Sequence, residues 1–438
     1  MLIFILICHL VIIACLILPF GLTLFAPRPP AHSAAPPNAT DHTLSHDTEQ
    51  HHFACIITAY NRCEIAFPLI QSLLRQTHSN FHIYLVADQC GDANLLQTYQ
   101  HETRLHCLLP PEALRSKVKS MQYAMQHLAQ TPTHIVVFDP DNLAIPDFLA
   151  QLDHYLQGGY EAVQGRRIAK NLDTPYACAD ALGEIYKNYI ERYAPFCLGS
   201  SASIAGSGMA VSTPLFEAFL QSPPIARRQA AQQVIAAEDK LLQHFLVAQN
   251  QRIAFAHAAW LYDEKIQTGE QVTRQRTRWL FAYFDNIAVA LRHIGGGLLR
   301  LQWNRFLFGC LSIIPPLFIL LLVAGLFAMA DTLIATLSRT NWQAVLSGIA
   351  PLQVAFWWQA AAALWLSIGI FAANIVWTLY LDRAPRPVWQ ALWQMPAFVG
   401  RQILSLVQIN KARRDFLSTQ HTQLISLEEA QQQQQQKR

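Results

Sequence analysis

Long apolar runs alternate along the chain with short apolar bursts that end on polar residues. Residues 1–26 are apolar almost throughout, interrupted by His9 and Thr23. At 1.5 Å per residue, a helix of that length spans a bilayer core of roughly 30 Å. Phe306–Ala330 and Leu352–Leu381 are two further runs of the same kind. Between them the pattern shortens. Phe53–Tyr60 is a β-rich burst ending at Asn61, and Phe67–Gln76 carries helical periodicity. His82–Ala87 predicts a strand ending at Asp88, Ser116–Leu128 a helix, and His134–Phe138 a strand ending at Asp139. Glu161–Gln164 opens another strand. Strands that alternate with helices imply crossovers, hence an α/β fold with a mostly parallel sheet and helices on both faces. Ligands of such sheets bind at the carboxyl ends of the strands, where Asn61, Asp88 and Asp139 fall.

Composition sharpens this division. Of 438 residues, 52% are hydrophobic and only 14% charged, against about a quarter charged in ordinary soluble proteins. Disorder is excluded, and a net charge of +3 gives no general field for nucleic acid. Residues 1–26 could be a signal peptide, with small residues near Ala31-His32-Ser33 for cleavage. No Lys or Arg precedes the run, however, and it exceeds the roughly 7–15 residues of a signal core, so it reads as an uncleaved anchor. Residues 27–50 form a Pro/Ala/Ser/Thr/His linker whose histidines (32, 42, 46, with 51 and 52 beyond) read as solvated rather than metal-binding. Residues 51–285 make the globular domain and 286–305 an amphipathic interfacial segment. Residues 306–381 make two transmembrane helices joined by a short external loop.

Positive charges orient these runs. Arg292, Arg300 and Arg305 precede the second run, and Arg383, Arg386, Arg413 and Arg414 follow the third. The loop Asp331–Pro351 holds only Arg339. A multi-pass protein of the inner, cytoplasmic membrane with a cytosolic globular domain is therefore expected. Val388–Ile409, with Trp389, Trp393, four glutamines and Arg401, reads as an interfacial helix within 382–420; a fourth span is the other reading. The Gln-rich residues 421–438 read as a disordered tail. Nine cysteines without a CxxC or paired spacing read as free, reduced thiols.

Three clusters carry candidate chemistry. Asp139-Pro140-Asp141 follows a buried strand; in extended backbone, residues two apart point the same way, so both carboxylates could meet one hard cation that also holds phosphate. A DxD alone also arises from turn chemistry. Glu238-Asp239 opens an amphipathic helix, where acids either complement the helix dipole or supply a general base. In Gln275-Arg276-Thr277-Arg278-Trp279, positions 275, 278 and 279 share a helical face offering an amide, a guanidinium and a stacking ring. That suits a diphosphate beside a sugar. A basic helix against anionic lipid would explain the arginines but not Gln275 or Trp279.

This ordered set, over roughly residues 53–310, resembles the membrane-bound family 2 glycosyltransferases, which include cellulose, chitin, hyaluronan and poly-N-acetylglucosamine synthases. The resemblance implies a GT-A-type nucleotide-sugar-binding domain. It implies that Thr58, Tyr60, Asn61, Asp88, Lys117 and Asp139 bind the nucleotide, Asp88 at the uracil, and that Asp141 ligates Mg²⁺ or Mn²⁺. It further implies Asp239 as catalytic base, Glu238, Gln275, Arg276, Arg278 and Trp279 at the diphosphate and acceptor, and, more loosely, Gly206-Ser207-Gly208 at the acceptor. The implied activity is inverting transfer of a hexosyl or N-acetylhexosaminyl group from a UDP-sugar to a growing polysaccharide with a β-linkage. Partners would be the donor, a glycan or lipid-linked acceptor, the bilayer, and a homo-oligomer or export partner. Three apolar runs are fewer than cellulose synthases carry, which leaves single transfer to a lipid-linked acceptor open. An inactive scaffold subunit of an export complex is a third reading.

Overall fold

The fold is seen in a computed structural model that describes residues 2–30, 50–91, 99, 101–233, 235, 237–337, 351–395, 398–400, 402 and 423–437. Most of the linker, Arg339, Arg401, Arg413, Arg414 and most of the segment 396–422 lie outside the described residues.

The short apolar bursts form an eight-stranded sheet: β1 (Phe53–Tyr60), β2 (Phe81–Asp88), β3 (Leu105–Leu108), β4 (His134–Phe138), β5 (Leu143–Ala144), β6 (Ala162–Ala169), β7 (Met209–Ser212) and β8 (Ile253–Asp263), in the order β3-β2-β1-β4-β7-β6-β8-β5. β1 and its neighbours are covered on both faces, so they read as continuous apolar sequence rather than an alternation. β3, β2, β1 and β4 run parallel, as do β6 and β8; β7 runs antiparallel between β4 and β6. The result is a mixed, mostly parallel GT-A-like α/β sheet. Its register decides where chemistry sits. Tyr60 pairs with Asp88 and Ile57 with Phe138, so Asn61, Asp88 and Asp139 emerge at the same edge. Because β7 runs backwards beside β4, it brings Gly206–Gly208 to that edge too, with Gly208 N–H donating to Val137 O at 2.7 Å.

Among the described residues, three helices are long and apolar enough to cross a membrane: Ile3–Phe25, Leu317–Leu337 and Ala355–Leu381. The second differs from the expected Phe306–Ala330. Pro315-Pro316 remove two backbone donors and clash with a preceding turn, so a separate helix, Trp303–Ser312, ends before them. The N-terminal helix packs on both others. His9, the break noted in its apolar run, contacts Asp331 at 2.7 Å.

Three other expectations are corrected. The boundary between 285 and 286 falls inside one continuous helix, Gly269–Leu299, opened by a capping box between Thr268 and Gln271. Cys63 and Cys90 form a disulfide, leaving seven free thiols. Their spacing of 27 carries no sequence signal; the parallel pairing of β1 with β2 places the two following loops side by side. Finally, Leu427–Lys437 is a docked helix rather than a disordered tail. Leu427 and Ala430 are buried beside Tyr262, Gln434 donates to Ala169 O, and Lys437 pairs with Asp173. A glutamine run has good helix propensity, and here it meets a complementary surface.

Candidate active site

A small charged centre forms where β4, β7 and the Glu238–Ala248 helix meet. Lys117 opens the helix Lys117–Gln126, capped by Ser116. Its ammonium lies 2.6 Å from Asp139 Oδ1, 3.5 Å from Glu238 Oε1, and donates to Gly206 O at 2.9 Å. Asp239 follows Glu238 in the first helical turn, and a Cβ on Gly206 would lie 3.8 Å from its Oδ2. Gly206 also has φ +91°, the left-handed region that glycine adopts without strain. Four predicted residues, Lys117, Asp139, Glu238 and Asp239, are thus gathered around a bare backbone turn.

Electrostatics follow from that packing. Burial pushes Asp139 upward, but Lys117 and Arg167 outweigh it and hold its carboxyl below its usual value. Burial likewise opposes charge on Lys117, yet Asp139 and Glu238 keep its pKa above normal. At Glu238 burial wins over Lys117, so its pKa is raised. Two acids fed by one cation are driven apart, one ionised and one more easily protonated.

The Gln275–Trp279 segment faces this centre unevenly. The charge of Arg278 reaches Glu238. Gln275 Oε1 is buried without a hydrogen-bond partner. Trp279 is 37% exposed, with Lys187 Nζ 3.9 Å and Arg276 Cζ 4.1 Å from its ring centre. Arg276 itself is paired with Asp180 at 2.7 Å, so its guanidinium braces Trp279 against the Pro175–Lys187 helix. Burial, with Arg276 close by, lowers Lys187 to about 8.

At the β1 and β2 ends, Thr58 and Tyr60 are partly exposed and Asn61 is exposed with φ +62°. Asp88 is buried; its carboxylate accepts Leu114 N–H at 3.0 Å and Arg115 N–H at 2.7 Å, so it holds the loop leading to Lys117. The disulfide ties the loops after these two strands together. Asp139 and Asp141 do not lie in extended backbone: β4 ends at Phe138, and a turn closes with Asn142 N–H donating to Asp139 O. The carboxylates therefore take different partners. Asp139 meets Lys117, whereas Asp141, 1% exposed, accepts Glu264 N–H at 3.0 Å.

Residues 51–282 match the family described as glycosyltransferase like family 2, more than half of the chain. The chain belongs to glycosyltransferase family 2. No curated protein matches it by sequence. Two solved structures share a likeness with this glycosyltransferase. A mannosyltransferase from Pyrobaculum calidifontis, in complex with GDP-mannose and Mn²⁺, is 15% identical, with a TM-score of 0.47, over 84% of this chain and 99% of that one. TarS of S. aureus is 13% identical, with a TM-score of 0.36, over 56% of this chain and 40% of that one. Neither is similar enough to assign this enzyme a donor or a metal.

Among the described residues of the glycosyltransferase, no three His, Cys, Asp or Glu side chains gather to hold a metal ion. A cation held by protein alone does not fit. One that takes a single carboxylate and completes its shell with substrate phosphates does fit, with Asp139 as that carboxylate, while the buried Asp141 stays on Glu264 N–H.

Sequence reading missed a second layer. Arg167 pairs with Asp263, and Lys265 with both Asp263 and Glu184. Lys170, 1% exposed, donates to Asp141 O and to Gln423 O. Asp263-Glu264-Lys265 end β8 as Asp88 ends β2, so the strand-end signal was present there too.

Proposed function

We propose that this family 2 glycosyltransferase transfers a sugar from a UDP-sugar to a hydroxyl of a glycan acceptor at the inner membrane, with inversion at the anomeric carbon. The observation that carries this reading is the convergence of Lys117, Asp139, Glu238 and Asp239 around Gly206.

In this reading Thr58, Tyr60, Asn61 and Asp88 flank the nucleotide base, while Lys117 and Asp139 meet the donor diphosphate. Asp239 takes the proton of the acceptor hydroxyl as its oxygen attacks the anomeric carbon. The bond from that carbon to the diphosphate breaks on the opposite side, giving a β-linkage from an α-linked donor. Lys117 and Arg278 offset charge on the departing diphosphate in a site that costs no reorganisation. A divalent cation held by Asp139 together with the donor phosphates would neutralise them further. Gln275 and Trp279 position the acceptor sugar, with Arg276 fixing the indole.

Nucleotide release from UDP-glucose, UDP-N-acetylglucosamine and GDP-mannose tests the reading. One donor is turned over, and Asp239→Asn lowers that turnover by roughly 10²–10⁴-fold, the usual contribution of a positioned general base, while nucleotide binding stays within about twofold of wild type by the same standard. Loss of nucleotide binding in this variant overturns the base assignment. That three candidate spans stand among the described residues favours a second reading, transfer of a single sugar to a lipid-linked acceptor. A ladder of labelled products supports polymerisation, and one lipid-soluble product supports single transfer.

A further inference from the structure

Beyond the charged centre, the chain encloses a cavity of about 260 Å³ between β6, β8, the Pro175–Lys187 helix, the end of the Pro351–Leu381 helix and the Gln-rich Leu427–Lys437 helix. This lies just below the roughly 300–1,000 Å³ of ligand pockets, and so suits a single ring-sized group rather than a nucleotide.

The lining has three features. Trp260 offers an indole, with Arg166 Cζ 5.5 Å from its ring centre. Arg166 is 2% exposed, and both its Nε and that of Arg167 are buried with no hydrogen-bond partner. Atoms so fully covered do not reach the cavity, and Arg166 spends its Nη groups on His257 and Asp382, so it shapes the wall and packs on the indole. Gln431 and Gln435 then add side-chain amides from the docked tail. Each amide supplies both donors and an acceptor, which matches hydroxyl groups better than phosphate oxygens. Arg166 is moreover already neutralised by Asp382, which disfavours an anionic ligand.

Position adds a direction. Asp382 directly follows the last candidate span, so one end of the cavity is at the membrane side. At the other end Arg167 donates to Ala205 O, and Ala205 precedes the Gly206 that faces Asp239. Arg167 therefore joins the wall of the cavity to the turn at the catalytic centre.

We propose that this cavity binds a sugar unit of a neutral glycan acceptor, with Trp260 as the stacking surface, the Gln431 and Gln435 amides as hydrogen-bonding groups, and the C-terminal Gln-rich helix as its outer wall. The proposal rests on the transferase reading for its purpose, but its binding chemistry is testable separately.

The experiment uses the full chain in lipid nanodiscs and saturation-transfer NMR with cellotetraose, chitotetraose and mannotetraose as probes. At least one tetrasaccharide binds the wild-type chain. Binding weakens tenfold or more in Trp260→Ala, and equally in Gln435→Trp, where an exposed position receives a ring that fills the cavity without disturbing the core. Nucleotide release to water is measured on the same samples, as a readout of the catalytic centre separate from glycan binding. If no tetrasaccharide binds, or Gln435→Trp binds as tightly as wild type, the proposal is overturned. If glycan binds but no donor is turned over, the transferase reading fails and the glycan site stands.

Discussion

At the scale of single residues, the site depends on charges that are individually unfavourable and jointly satisfied. Asp263 shows this most clearly. Burial opposes its ionisation, but Arg167 and Lys265 outweigh burial and take its pKa from 3.8 to about 2. A folded-state value below the unfolded one stabilises the protein above the unfolded pKa and is lost as pH falls through the folded pKa. The window is thus between pH 3.8 and about 2, and the effect is about 2 kcal/mol. Asp263→Asn is expected to lower the melting temperature at neutral pH, with the gap from wild type narrowing as pH drops through that window. A gap that stays constant with pH would show that the charge of Asp263 is not the cause. Asp139 obeys the same balance, which explains how a carboxylate can stay ionised in a largely buried cluster. None of this was visible in the sequence, because Lys117 and Asp139 are 22 positions apart and Arg167 and Asp263 further still.

At the scale of elements, one buried polar contact joins the candidate membrane helices. His9 and Asp331 are each nearly fully buried, and His9 Nε2 lies 2.7 Å from Asp331 Oδ2. In hydrocarbon, a lone polar side chain is costly and a paired one acts as glue, worth about 0.6–2 kcal/mol. His9→Leu and Asp331→Leu should each lower thermal stability in detergent, and the double variant should lose less than their sum. Strict additivity would mean that the two side chains are not coupled. Element type was readable where the apolar period was clean: β1, β2 and β4 begin and end within a residue or two of expectation. Reading failed where a breaker or a surface decided the outcome. Pro315-Pro316 shifted the second span, and the Gln-rich tail folded because β8 and Ala169 offered it a partner.

At the scale of the whole molecule, the cysteines bear on compartment. The arginines flanking the apolar runs led, by the positive-inside rule, to the expectation of a cytosolic domain, whereas a disulfide is ordinarily stable in oxidising surroundings. Thiol titration of the denatured chain decides the state directly. Seven thiols are expected before reduction and nine after, since Cys63–Cys90 accounts for the difference. Nine before reduction would remove the disulfide and leave the charge rule unopposed. By itself the sequence determined that the chain combines an α/β domain with long apolar helices, and which acids, arginines and tryptophan are candidates for its chemistry. Those features are written in local period and composition, where neighbours along the chain suffice. Only the tertiary structure decided that Lys117, Asp139, Glu238 and Asp239 share one centre and that Asp139 and Asp141 part company on a turn. It also decided that Cys63 meets Cys90, and that the glutamine tail closes a cavity against Trp260. Each is a contact between distant segments, set by strand register and by which surfaces bury one another, and no local pattern encodes it.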